Sequence, residues 1–109
     1  MYDAYIKQSL FPSCFANGLP AEEARELAAE QEPLSTIALG QPSGVPAWLT
    51  TPSWAVVGTA DRVIPSAEQF AMARQAGARI TEVDAPHLSM VSDPGIVTQV
   101  ILKAAHAAG

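Results

Sequence analysis

The 109-residue chain is 49% hydrophobic and 16% charged with a formal net charge of −5, the composition of a globular chain rather than a disordered one. Its six bases, Lys7, Arg25, Arg62, Arg74, Arg79 and Lys103, stand singly, so no cluster can neutralise a run of phosphates, and nucleic acid is excluded as an expected partner. No apolar run approaches the roughly 20 residues that cross a bilayer, and a single cysteine, Cys14, with two histidines, His87 and His106, offers neither a disulfide framework nor the ligands of a structural zinc.

The opening stretch, MYDAYIKQSLFPSCFANGLP, lacks the basic and continuous apolar regions of a secretory signal, which makes a cytoplasmic protein the expectation if Met1 is the true start. Residues 1 to about 52 show no strand pattern. LPAEEARELAAEQEP predicts a helix with Pro20 near its first position, Glu22 and Glu23 in the first turn where the helix dipole favours acids, and Pro33 as the stop. A shorter helical turn is expected at LSTIALG. The segment GQPSGVPAWLTTPS, with three prolines and two glycines, reads as a connection.

From Ser53 the pattern changes to strand, loop, helix, strand, loop, helix. SWAVV is short, apolar and β-branched, as expected for a strand covered on both faces, and ends at Gly58. Ser66 and Gln69 stand at the spacing of a capping box ahead of the helix AEQFAMARQA, which stops at Gly77. ARITEV is a second strand. In the last helix Asp93 is the expected N-cap and Pro94 the first residue, with Val97, Val100, Ile101 and Ala104 on one apolar face. His106 is expected to be an exposed cation, Met72 and Met90 packing residues, and Cys14 a small apolar one.

Two strands joined through a helix should run parallel, so the loops that follow them emerge at the same edge of the sheet. The first of those loops carries Asp61 and the second His87. Neighbouring strands lie about 4.8 Å apart, close enough for the carboxylate to accept an imidazole N–H. Such a carboxylate fixes the ring tautomer and stabilises the cation formed when the other nitrogen takes a proton from a nucleophile. The plainer reading is that Asp61 closes a turn and His87 is an ordinary loop histidine. Asp84 competes as a local partner of His87, and Arg62 is expected to face solvent or a surface acid.

The stretch PSWAVVGTADRVIPSAEQFAMARQAGARITEVDAPHLSMVSDP resembles the C-terminal segment of the α/β-hydrolase fold family, in which a strand followed by G-x-x-D-x-x-x-P delivers the triad acid and the next strand is followed by a loop bearing the histidine. Gly58, Asp61 and Pro65 match the first motif; His87 matches the second, with Asp93 and Pro94 opening the final helix. Over residues 1 to 45 the chain is similar to the helical cap of small-molecule esterase-like members. The resemblance implies an α/β fold made of a cap-like segment (1–47) and the last two parallel βα units of the core (48–109). It implies Asp61 and His87 as catalytic residues, a small ester-like substrate and no metal or organic cofactor. Phe11, Phe15, Leu19 and Trp48 then either border an acyl pocket or form the core of the cap.

The family's nucleophile sits in G-x-S-x-G, ahead of the acid and the histidine in chain order. None of Ser9, Ser13, Ser35, Ser43, Ser53, Ser66, Ser89 and Ser92 has glycines two positions to either side. The expectation is a hydrolase segment whose serine lies in a different polypeptide, inactive by itself and associating with that part or with its own copies. The alternative is a noncatalytic α/β module that packs on a partner chain.

Overall fold

The computed structural model describes residues 3–109. The N-terminal part is helical with a small addition that the sequence does not show. Two-residue strands β1 (Asp3–Ala4) and β2 (Leu34–Ser35) pair antiparallel. The Gln31 side chain prolongs this pairing, because Ile6 N–H donates to its Oε1 at 2.9 Å while its Nε2 donates to the Ile6 carbonyl at 3.0 Å. Two residues are too few for an alternating pattern to be legible.

Between these strands lie α1 (Phe11–Cys14) and α2 (Ala21–Ala29). Helix α2 begins directly after Pro20, carries Glu22 and Glu23 in its first turn, and ends at Ala29, ahead of Pro33. Ala24 and Ala28, four apart and hence on one face, are buried with Phe11 and Ala16, and Phe15, Leu19, Leu27 and Leu88 pack around them. The small alanine side chains let α1 and α2 approach closely. The turn expected at LSTIALG is α3 (Thr36–Gly40).

The second part is built on β3 (Trp54–Gly58), α4 (Ser66–Gln75) and β4 (Arg79–Val83). The two strands are parallel neighbours, in register from Trp54 beside Arg79 to Gly58 beside Val83, with the Arg79 guanidinium 5.5 Å from the Trp54 ring centre. Gly77, just beyond α4, has φ +66°, a left-handed value that glycine adopts without strain. A single turn, α5 (Ser89–Ser92), precedes α6 (Pro94–Ala108), where Asp93 Oδ1 accepts from the Ile96 N–H at 3.2 Å as the N-cap. Among the described residues no helix is long and apolar enough to cross a membrane.

Four expectations are corrected. Strand β3 is not covered throughout: Val57 and Gly58 are buried, whereas Trp54–Val56 are half-buried. A groove of about 330 Å³ runs along β3 beside Met72 and Ala73 of α4, and Trp48 stands at it. Consecutive residues Trp54–Val57 line this groove, and because successive strand residues point to opposite faces it follows the edge that β4 does not pair. Met72 and Met90 are each 53% exposed, so neither is a packing residue. On α6, Val100 is buried but Ile101 is 62% exposed; the inward stripe runs through Ile96, Val97, Val100 and Ala104 instead. Ser66 caps nothing, because Pro65 occupies the N-cap position and Ser66 is already the first helical residue.

The N-terminal helices lie over the carboxyl edge of the two-stranded sheet. Leu88 N–H donates to the Phe15 carbonyl at 3.1 Å, Asn17 Nδ2 donates to the Ala60 carbonyl at 2.8 Å, and Arg62 Nη1 donates to the Ser13 carbonyl at 3.3 Å. Arg62 is exposed, as expected, and its guanidinium meets a backbone oxygen rather than a surface acid.

The chain is more open than its size requires. Its accessible surface is 7646 Å², against about 5,800 Å² for a folded monomer of this mass. Its radius of gyration is 15.5 Å, against about 13 Å for a domain of this length. Exposed apolar side chains include Ile37, Leu39, Val45, Leu49, Ile101 and Leu102.

Candidate active site

Parallel pairing brings the loops after β3 and β4 to one edge, and the close approach of their backbones is set by a glycine. A β-carbon at Gly58 would stand 2.8 Å from the Ala85 carbonyl oxygen and 3.1 Å from that of Pro86. Only a residue without a side chain lets the His87 loop lie this low across the end of β3. The two loops are stitched together there by Thr59 N–H to the Val83 carbonyl at 2.9 Å and Ala60 N–H to the Ala85 carbonyl at 3.2 Å.

His87 Nδ1 lies 3.0 Å from Asp61 Oδ2. The Asp61 side chain is 6% exposed and that of His87 32%, so the carboxylate is buried beneath a ring that keeps access to solvent. Asp61 is held from several sides. Its Oδ1 accepts from the backbone N–H groups of Val63 at 2.7 Å and Ile64 at 3.1 Å, and its Oδ2 accepts from Gln69 Nε2 at 2.9 Å as well as facing His87. Burial pushes the Asp61 carboxyl up, but the two backbone donors and the His87 ring together push it down further, and it ends below its ordinary value of 3.8. The group is therefore an ionised acceptor at neutral pH.

An ionised carboxylate can only accept, so the hydrogen between it and His87 belongs to Nδ1. The ring's other nitrogen, Nε2, then carries its lone pair and can take a proton. Among the described residues Asp61 is the one hydrogen-bond partner of the ring. The Phe15 ring packs nearly perpendicular to it, with ring centres 4.7 Å apart and planes at 77°. Asp84, the local competitor, is exposed and does not bond to His87.

Of the four apolar residues considered for an acyl pocket, two lie in or against the N-terminal core and one at the β3 groove, while Phe15 meets the His87 ring. Phe11 is buried and stacks on Phe15 at 5.3 Å, Leu19 packs on the N-terminal core, and Trp48 stands at the β3 groove. Phe15 also lines a groove of about 370 Å³ with Tyr5, Ile6, Leu34 and Leu39. Cys14 is a free, half-buried thiol, and His106 is exposed in the last turn of α6. Among the described residues no group of three or more His, Cys, Asp or Glu is arranged to hold a metal ion.

Gln69 is the residue that sequence reasoning misplaced. Its S-x-x-Q spacing pointed to a capping box, whereas its amide faces the acid loop. A better signal was available: Gln69 stands four residues before the buried Ala73, on the face of α4 turned to the sheet, where a polar side chain must find partners.

Two comparisons with known proteins, one with curated sequences and one with solved structures, give no match. A third, with protein families, does: residues 2–100 match the model described as the Alpha/beta hydrolase family. The match takes in the N-terminal helices as well as the βαβα part that carries the acid and histidine motifs.

Proposed function

Because the chain belongs to the alpha/beta hydrolase family, we propose that Asp61 and His87 are the acid and base of a serine-hydrolase triad acting on a small carboxylic ester. The observation that carries this reading is the 3.0 Å contact between His87 Nδ1 and a buried carboxylate. With Nδ1 committed to Asp61, Nε2 accepts the proton of an attacking serine hydroxyl. Asp61 stabilises the imidazolium that results, and His87 then returns the proton to the leaving alcohol. Water repeats the sequence on the acyl-enzyme. The ester class is supported by the mostly apolar groove that Phe15, whose ring meets that of His87, shares with Leu34 and Leu39.

The serine is proposed to come from a different polypeptide segment, since no serine of the 109 residues lies in a G-x-S-x-G elbow. In this reading residues 1–47 act as a cap-like segment over the site, and residues 48–109 form the last two βα units of the core. The surface that exceeds the expectation for a folded monomer of this mass, with its exposed Leu49, Ile101 and Leu102 and the edge of β3 that β4 does not pair, is where that segment would pack. The same surface favours the second reading, a noncatalytic module bound to a partner chain.

Hydrolysis of short-chain p-nitrophenyl esters tests the proposal. In a preparation that contains the serine-bearing segment, His87→Ala is expected to lower turnover by about 10³-fold or more, while the 109-residue chain alone turns over little with or without the substitution. Full activity of His87→Ala in the complete preparation would sink the triad assignment and leave the module reading.

A further inference from the structure

We propose that Gln69 is a positioning residue for the Asp61 and His87 pair, holding the carboxylate in the one orientation that presents Oδ2 to the ring. The proposal rests on the hydrolase reading for its catalytic meaning, but its geometry stands apart from it. Both N–H groups and one lone pair of the Gln69 amide are used, each on a different piece of the site. Nε2 donates to Asp61 Oδ2 at 2.9 Å and to the Ile64 carbonyl at 2.7 Å, and Oε1 accepts from the Gly58 N–H at 3.2 Å. No other orientation of the amide satisfies all three, since a carboxylate and a carbonyl must meet the NH₂ and an N–H must meet the oxygen.

The three partners are the end of β3, the acid and the loop beyond the acid. Thr59 N–H turns toward β4, so the preceding N–H, that of Gly58, points to the unpaired side of β3, and Gln69 satisfies it there. A carboxylate with two backbone donors on Oδ1 could still rock about its side-chain torsion. The Gln69 donor on Oδ2 stops that motion and leaves the second lone pair of Oδ2 for His87. Among the described residues His87 is the titratable group facing this carboxylate; Arg62 turns to the Ser13 carbonyl, while Glu68 on α4 and Asp84 before the histidine loop are exposed.

The test uses the 109-residue protein and needs no turnover. In the unsubstituted chain, the side-chain N–H resonances of Gln69 are followed by NMR as pH falls, and they are expected to move with the same midpoint as the Asp61 carboxyl carbon. Gln69→Met keeps the length and packing but removes the donor, and Gln69→Glu puts a second carboxylate against Oδ2. Loss of one hydrogen bond to a charged group is expected to raise the Asp61 midpoint by about one pH unit in Gln69→Met, with a larger rise in Gln69→Glu. The His87 Nδ1–H signal should weaken through faster exchange in both.

If both variants lower the melting temperature yet leave the Asp61 midpoint and the Nδ1–H signal unchanged, Gln69 is a scaffold residue and the proposal fails. Should Gln69→Met not fold, the unsubstituted chain decides: Gln69 resonances that ignore the Asp61 titration overturn it. A coupled Gln69 in a protein whose ester hydrolysis does not depend on His87 would overturn the hydrolase reading alone.

Discussion

Gly58→Ala isolates the contact that lets the two site loops meet. The added β-carbon would lie 2.8 Å from the Ala85 oxygen and 3.1 Å from the Pro86 oxygen, both backbone atoms. Comfortable carbon-to-oxygen contacts begin at about 3.3 Å, so the His87 loop must rise by about 0.5 Å or β3 must twist away. Gly58 has no positive φ, so alanine meets no backbone strain and even gains about 0.4–1 kcal/mol by restricting the unfolded chain. Against this stands about 1–3 kcal/mol for forcing a methyl into a filled site. The net loss is about 0–2.6 kcal/mol, centred near about 1.3 kcal/mol, and each kcal/mol lowers the melting temperature of a domain near 100 residues by about 4–8 °C. The displaced loop also carries His87 away from Asp61, so the Nδ1–H proton should exchange faster in NMR spectra of the variant. A Gly58→Ala protein with an unchanged melt and an unchanged Nδ1–H signal would refute the claim that this glycine sets the site.

The lowered pKa of Asp61 has a definite sign: the group contributes stability that is fully present above its unfolded value near 3.8 and is lost as pH falls through the lower native value. The stability gap between the unsubstituted chain and Asp61→Asn should therefore narrow as pH falls below about pH 5; a gap that persists at full size at pH 2 would contradict the assignment. Asp93→Ala removes the oxygen that accepts from Ile96 N–H and is expected to cost about 1 kcal/mol by loss of the N-cap. Thermal melts would show it, and Asp93→Ser should recover most of the loss.

Much of the site was legible from the sequence because its logic is topological. Two apolar runs separated by one helix must be parallel, and parallel strands release their loops at one edge, which brings Asp61 and His87 together before any contact is known. Caps and stops were legible for a similar reason: Asp93 and Gly77 act within a few residues of themselves. Burial was harder to read. An apolar stripe on a helix shows that some face turns inward, but not how far the covered zone reaches, and so Ile101 was placed inside while Val100 alone is buried.

What the sequence by itself determined is thus the strand–helix–strand–helix order after Ser53 and the sheet edge at which Asp61 and His87 emerge. The tertiary structure alone decided which side chains close around that pair. Phe15 meets His87 across most of the chain, Asn17 reaches the Ala60 carbonyl, and Gln69 turns from the helix start to the carboxylate. Each of these contacts depends on how one layer is laid over another, and a one-turn shift of α1 or α4 would change the partner without altering any local pattern. The approach at Gly58 has the same character: the glycine is visible in the sequence, but the carbonyl oxygen that would lie 2.8 Å from its missing side chain arrives from 27 residues further along.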